Sequence, residues 1–339
     1  MSRSLSVLMP VLNEESSIAD AIGSVLNQAG CDQEILVVDG RSVDRTREIV
    51  ADLARSDPRI RLLDNAAVII PAGLNAGLAA ARHEFVARVD GHAEISADYL
   101  ARALDRLAAD PSLAGIGGRR RGVARTRVGR AIAAVMSSPF GVGNSINHYA
   151  EEYQLTDHAS FGVYRTAAAR QVGGWDVALP VNEDVDFDHR LRLAGHRIAY
   201  DPEMIINWRV RETVATLFQQ YRRYGRGKAA MVRKNGRRAV RSRHLAAPAL
   251  VIGVVLSVVT APWVPALLIM PGGYLAGIVV VSVVTWCRSA ERADVAAAAL
   301  PAAFVATHTG WGLGFLEGLL FKRSPAVASG DSRSRAAAV

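Results

Sequence analysis

Carboxylates gather at four places where a strand-like run ends or a helix-like run begins: Asp39, Asp44, Asp90 and the cluster Glu183-Asp184-Asp186. The string Val181-Asn182-Glu183-Asp184-Val185-Asp186 puts three acids within four residues. Like charges this close raise one another's pKa, and a carboxylate raised in this way suits a general base. The same string reads equally well as a helix start with Asn182 at the N-cap. Asp90-Gly91-His92 follows the apolar run 85–89. A carboxylate and an imidazole two residues apart at a strand end can converge on one divalent ion. Mg2+ favours all-oxygen ligands, whereas Mn2+ accepts the imidazole. Taken alone the tripeptide reads as a turn. Asp39 closes the run 35–38, where a carboxylate can accept hydrogen bonds from a nucleobase or ribose lying over the strand ends. Asp44, before 45–50, reads rather as a helix cap.

The first half of the chain has to position these groups, and its periodicity alternates. Residues 5–9, 34–38, 60–63 and 85–89 read as short apolar strands, and 14–27, 46–56, 71–81 and 97–109 as helices. Such alternation predicts an α/β fold with a parallel sheet covered on both faces and ligands at the carboxyl ends of the strands. Further on, 119–130 holds six arginines among glycines and reads as a loop. Residues 163–172 and 184–193 read as helices separated by a turn at Gly173-Gly174. Residues 211–231 form an amphipathic stretch with Leu217, Phe218, Tyr221 and Tyr224 on one side, suited to a membrane interface.

Half of the 339 residues are hydrophobic, and they are unevenly spread. Residues 245–286 contain no Asp, Glu, Lys or Arg. A span needs roughly 20 apolar residues, so 245–261 and 267–286 are two candidate spans joined at Pro262-Trp263-Val264-Pro265. Residues 295–321 are a third, interrupted by His308 and Glu317. Between Thr213 and Ala290 stand 11 basic residues and no acidic one, ten of them in 222–243. Nucleic acid is one partner for such a run; its place beside an apolar stretch favours anionic lipid headgroups and a positive-inside anchor. The first residues lack the long apolar core of a signal peptide, which predicts a catalytic part on the cytoplasmic side of a multi-pass inner-membrane protein. The two cysteines, Cys31 and Cys287, frame neither a disulfide scaffold nor a metal cluster. The organisation expected is a catalytic domain over 1–210, a basic interface segment over 211–244, a transmembrane region over 245–321 and a disordered tail over 322–339.

Six segments, in order, resemble the inverting family 2 glycosyltransferases, which have the GT-A fold. Val7-Leu8-Met9-Pro10-Val11-Leu12-Asn13-Glu14-Glu15 is similar to their opening strand and turn. Glu34-Ile35-Leu36-Val37-Val38-Asp39-Gly40-Arg41-Ser42-Val43-Asp44-Arg45-Thr46 resembles their second block. Gly73-Leu74-Asn75-Ala76-Gly77 resembles the loop before the metal-binding strand. Asp90-Gly91-His92 stands where the family has D-x-D, Glu183-Asp184 where it has its E-D base motif, and Gln220-Tyr221-Arg222-Arg223-Tyr224 near its Q-x-x-R-W motif. The series covers about two-thirds of the chain, and its D-x-H variant with a hydrophobic C-terminus resembles bacterial exopolysaccharide glucosyltransferases of the succinoglycan type.

The resemblance implies roles. Pro10, Asn13, Glu14 and Asn75 would frame the nucleotide-sugar pocket, and Asp39 would contact the base or ribose. Asp90 and His92 would hold a divalent metal, Mn2+ or Mg2+, on the diphosphate. Asp184, with Glu183 beside it, would deprotonate the acceptor hydroxyl. Arg222 or Arg226 would help neutralise the leaving nucleoside diphosphate. His92 in place of the second Asp, and Tyr224 in place of Trp, are departures from the family pattern. The expected partners are a nucleoside-diphosphate sugar, a polyprenyl-linked saccharide acceptor and the membrane, with no nucleic acid. Within the same class the alternative is a polyprenyl-phosphate sugar synthase; from another class, a non-catalytic nucleotide-sugar-binding scaffold.

Overall fold

The computed structural model describes residues 3–236, 240, 243–289 and 292–321. It divides into two compact units: 3–121 with 150–208, and, among the described residues, 122–149 with 209–321. The stretch 122–149, which falls inside the expected catalytic domain 1–210, therefore clusters with the second unit.

The first unit opens with the expected alternation: β1 (Ser4–Val11), α1 (Ile18–Leu26), β2 (Asp32–Asp39), α2 (Thr46–Ser56), β3 (Ile60–Asp64), α3 (Ile70–Ala80) and β4 (Phe85–Arg88). Then come β5 (Ala93–Ile95), α4 (Tyr99–Ala109) and β6 (Leu113–Val123). Helices α5 (Arg127–Met136) and α6 (Pro139–Val142) belong to the second unit. The first unit resumes with β7 (Gln154–Thr156), β8 (Val163–Arg165), α7 (Thr166–Gln171), α8 (Glu183–Leu193) and β9 (Arg197–Arg209). Apolar spacing explains the helices: Ile18, Ala21, Ile22 and Val25 bury one face of α1, and burying each large aliphatic side chain is worth about 1.5–3 kcal/mol.

The sheet runs β3-β2-β1-β4-β8-β6-β9-β5, with β7 against β9. It is parallel through β3, β2, β1 and β4 and antiparallel where β8 meets β4 and β6 and where β9 meets β5 and β7. The mostly parallel sheet expected from the first half is therefore a mixed one. Two further expectations change. Residues 163–172 split into β8 and α7, because Val163 and Tyr164 fill the sheet between β4 and β6. Residues 119–130 are the end of β6 and the start of α5. Their arginines are held: Arg119 Nη2 donates to Ala150 O at 2.6 Å, and Arg120 lies 4.1 Å over the Trp208 ring. Beneath α8, Phe187 stacks on Trp175 at 4.4 Å and meets Tyr164 edge-on at 5.0 Å, inside a core with Leu8, Leu36 and Leu74.

The second unit adds α9 (Val214–Asn235), α10 (Arg243–Thr260), α11 (Ile269–Arg288) and α12 (Ala299–Leu320). Of the two or three transmembrane helices expected, one has the required length and composition. Among the described residues, Pro265–Arg288 is the one helix long and apolar enough to cross a membrane. His244–Thr260 is a shorter apolar helix. Helix α12 buries Phe304, Gly310, Gly314 and Phe315 and packs on α9 through glycines. A side chain at Gly314 would strike the Arg222 carbonyl, and one at Gly225 the Trp311 carbonyl. The amphipathic face of α9, with Leu217 and Tyr221 buried, is thus partnered inside the unit by α12. The polar residues that interrupt α12 also have partners there: His308 Nε2 lies 2.6 Å from Phe140 O, and Glu317 pairs with Arg222.

Candidate active site

The parallel strands deliver their carboxyl ends to one edge of the sheet, and the backbone there is unusual. The described non-glycine residues with positive φ are Asn13 (57°), Arg41 (63°), Val68 (59°), Phe161 (49°) and Asn182 (63°). Asn13, Arg41 and Val68 lie just past the ends of β1, β2 and β3. Such conformations cost about 1–3 kcal/mol each and persist where the surroundings over-determine them, typically at functional sites.

After β1, Asn13 ties two loops together: its N–H donates to Ser42 Oγ and its Oδ1 accepts from Val43 N–H, both at 2.9 Å. Glu14 N–H donates to Thr46 Oγ1 at 2.7 Å. Pro10 sits in β1 beside Gly73 of α3, in ordinary contact distance of any side chain placed there. Asp39 is buried (1% exposed); it accepts from Ser42 N–H and from Arg47 Nη1, each at 3.3 Å. Arg47 also reaches Asp64 at 2.6 Å, the register partner of Asp39 on β3. Asp44, one residue before the N-cap Arg45, accepts from Thr46 N–H at 3.0 Å in an Asx turn that leads into α2.

Alternation along β4 and past its end puts Arg88, Asp90 and His92 at every second position. Arg88 Nε donates to Asp90 at 2.8 Å and its Nη1 to Glu183 at 2.9 Å. His92 turns instead to Glu14: Nδ1 lies 2.8 Å from Oε1, and a carboxylate only accepts, so the proton sits on Nδ1. Gly91 is required between them, because a Cβ there would come 2.8 Å from Val11 Cγ1 and 3.2 Å from Glu14 Cγ. The expected metal pair is accordingly redirected. Among the described residues no group of three or more His, Cys, Asp or Glu is arranged to hold an ion, since Asp90 faces Arg88 and His92 faces Glu14. Asp90 nevertheless keeps further lone pairs, and around Arg88 the carboxylates of Asp90, Glu183 and Asp184 outnumber the one guanidinium. That donor set and that charge suit a divalent cation.

Helix α8 brings the acid cluster to the same place. Asn182 occupies the N-cap position, in left-handed conformation and without a side-chain cap bond. The three acids of the first turn then diverge. Burial, then the charge of Asp184, push Glu183 up to about 7 despite Arg88. Burial also pushes Asp184 upward, but the His158 and Arg88 charges outweigh it and hold its carboxyl below the ordinary range. Asp90 is held low by Arg88 against its burial. Asp186, fully buried, pairs with Arg190 Nε at 2.8 Å; Arg190 continues to Gly174 O at 2.7 Å, so this acid belongs to the framework. Asp184 is the open one, its side chain 36% exposed. It is an ionised, accessible carboxylate in the first turn of a helix, where the dipole favours negative charge.

Two expected binding residues are used otherwise. The Asn75 amide clamps the Trp175 backbone, accepting from its N–H at 2.8 Å and donating to its O at 2.7 Å. Only glycine fits at Gly174, with φ +67° and no room beside the Asn75 carboxamide. Arg222 lies in the second unit, bidentate on Glu317 at 2.9 and 3.0 Å, and Arg226 joins the same carboxylate at 2.7 Å. Sequence reasoning passed over Arg88, although a lone cation in a buried strand two residues before Asp90 was a readable signal. It also passed over His158, Tyr164 and Asp188, which are brought together from separate elements and leave no local pattern.

The Glycosyl transferase family 2 profile matches residues 6–173. The chain is 30% identical over 331 residues to succinoglycan biosynthesis protein ExoA of Rhizobium meliloti (strain 1021), covering 95% of this chain and 97% of that protein. It is 24% identical over 239 residues to the dolichyl N-acetyl-alpha-D-glucosaminyl phosphate 3-beta-D-2,3-diacetamido-2,3-dideoxy-beta-D-glucuronosyltransferase of Methanococcus voltae, covering 68% of this chain and 74% of that protein. In fold it is similar to the mannosyltransferase PcManGT from Pyrobaculum calidifontis, solved with GDP-Man and Mn2+: TM-score 0.63, 19% identity, 95% of this chain and 88% of that one. With the ordered acids at the strand ends, these likenesses establish that the chain belongs to glycosyltransferase family 2 and is a glycosyltransferase.

Proposed function

We propose that the protein transfers a sugar, with inversion, from a nucleoside-diphosphate sugar to a lipid-linked saccharide in the synthesis of a polysaccharide. The observation that carries this reading is the divergence of the acids on α8: Asp184 ionised and open, Glu183 drawn toward neutrality. In the reaction Asp184 takes the proton of the acceptor hydroxyl. The new bond forms from that oxygen to the anomeric carbon while the bond to the diphosphate oxygen breaks, and the nucleoside diphosphate leaves with the electron pair. One carboxylate suffices, because the leaving group needs charge neutralisation more than a proton.

Asp39, with Pro10, Asn13 and Glu14 shaping the loops beside it, binds the nucleotide end. Asp90 would hold a divalent cation, which supplies neutralisation of the diphosphate when bound, while His92 stays on Glu14. Relatives acting in succinoglycan biosynthesis and on a dolichyl phosphate-linked sugar support the polysaccharide and lipid-linked parts of the reading. Membrane attachment is supported by α11 and by the exposed Leu245, Ile252, Val255 and Val259 of α10. The catalytic unit faces the cytoplasm in this reading, on the side that the basic run marks.

The test is a panel of sugar nucleotides with the full chain in lipid, with and without chelator, for wild type and Asp184→Asn. Metal-dependent release of nucleoside diphosphate is expected. Asp184→Asn should keep donor affinity and lose about 10²–10⁴ in turnover, the usual worth of a general base. Full turnover in Asp184→Asn would move the reading to a polyprenyl-phosphate acceptor, whose phosphate needs no base. Donor binding without any transfer or hydrolysis would leave a scaffold.

A further inference from the structure

Behind Asp184 stands a hydrogen-bonded group that takes no part in the proposed transfer. Asp188, one turn along α8, is completely buried. Its Oδ1 accepts from the Tyr164 hydroxyl at 2.9 Å, and its Oδ2 accepts from Ala159 N–H at 2.8 Å. The same Oδ2 lies 2.7 Å from His158 Nδ1. A carboxylate is acceptor only, so Nδ1 carries the proton and the imidazole orientation is set. The other ring nitrogen, Nε2, then faces Asp184 Oδ2 at 3.7 Å.

We propose that His158, locked by Asp188 and Tyr164, is a positioning residue that aims the Asp184 carboxylate at the acceptor hydroxyl. The inference rests on Asp184 being the base. At 3.7 Å the contact is an ion pair rather than a hydrogen bond, so the lone pairs of Asp184 stay available to the acceptor. A cation is needed there: Glu183 on the same helix and Asp90 beyond β4 add negative charge, and Arg88 is already shared between them. Arg120 on β6 is the further cation whose field reaches Asp184, and Asp157 is the further acid near His158. Burial pushes the His158 imidazole down, but Asp184 and Asp188 outweigh it and raise it. The loop that carries His158 is also the one that holds Phe161 at φ 49°, so its shape is imposed by the surroundings rather than by local preference.

Donor affinity and turnover of the full chain in lipid, measured for His158→Gln, Asp184→Asn and the double variant, test this. His158→Gln should lower kcat about 10²-fold, the cost of misplacing a reacting group, with nucleoside-diphosphate affinity unchanged. In the Asp184→Asn background the same substitution should change kcat by less than about twofold, because coupled residues are not additive. Equal losses in both backgrounds, or no loss in either, overturn the proposal. If His158→Gln misfolds and loses donor binding, Asp188→Asn carries the test, with the same supporting and overturning outcomes. Wild-type turnover in Asp184→Asn alone would fail the base assignment, whereas a large loss there beside a normal His158→Gln would fail only the positioning role.

Discussion

The two units hold similar arginine–carboxylate clusters with inverted stoichiometry. In the first, one guanidinium, Arg88, serves Asp90 and Glu183, and all three side chains are 17% exposed or less. In the second, two guanidiniums, Arg222 and Arg226, serve one carboxylate, Glu317, and the arginines are 40% and 47% exposed. A buried cluster short of positive charge sets proton affinities and invites a cation. A half-exposed cluster rich in positive charge joins two helices at little electrostatic gain. The same pairing chemistry therefore makes a charge-poor, buried cluster at the candidate site in one place and a fastening in the other, and burial decides which.

Removing the central cation should break this contrast most visibly. Arg88→Ala leaves Asp90 and Glu183 uncompensated, and stripping one partner from a buried ion pair costs about 3–5 kcal/mol. Denaturant unfolding of the full chain in detergent should register that loss in the transition reporting on the sheet. A cost no larger than that of Glu317→Gln would erase the distinction between the clusters.

Glu183→Gln should act in the opposite direction, and only at higher pH. The folded protein holds the Glu183 proton more tightly than the unfolded chain, up to about 7. Its contribution to stability is full below the unfolded value near 4.5 and is lost as pH rises through 7. The neutral amide escapes that loss. Metal-free, donor-free Glu183→Gln should therefore melt above wild type at pH 8, by on the order of 3 kcal/mol at one unit per 1.36 kcal/mol. The difference should close toward pH 4.5, and melting curves across that range check it. A constant difference at all pH values would mean that packing, not charge, sets the effect.

The smallest change is expected in the second unit. Glu317→Gln removes the shared acceptor of Arg222 and Arg226, but exposed pairs are worth about 1 kcal/mol or less. Thermal melts in the same detergent should barely move. A large destabilisation would show that the glycine-lined contact between α9 and α12 depends on this ion pair.

Much of the catalytic unit was legible along the chain because its determinants are local. Apolar runs of four to eight residues separated by helical periods set out β1 to β4 with α1 to α4, and the acids at their ends marked the candidate site. The ordered motifs from Pro10 to Glu183-Asp184 carried the family, since each is a short string tied to one loop.

Tertiary structure alone decided what surrounds each of these acids. Asp184 and Asp186 have the same charge and stand two residues apart on α8, yet helical geometry turns one to solvent and the other onto Arg190. His158 and Asp188 are 30 residues apart and meet at 2.7 Å only because β8 and α8 pack against each other. Asp90 and His92 share a short string, but Arg88 claims one and Glu14 the other. On α12, hydropathy cannot register that its glycines meet α9 rather than lipid. Chain-local periodicity reports which face of an element is apolar; what that face touches, and what protonation state a carboxylate adopts, depends on residues distant in sequence. Desolvation and charge act through space.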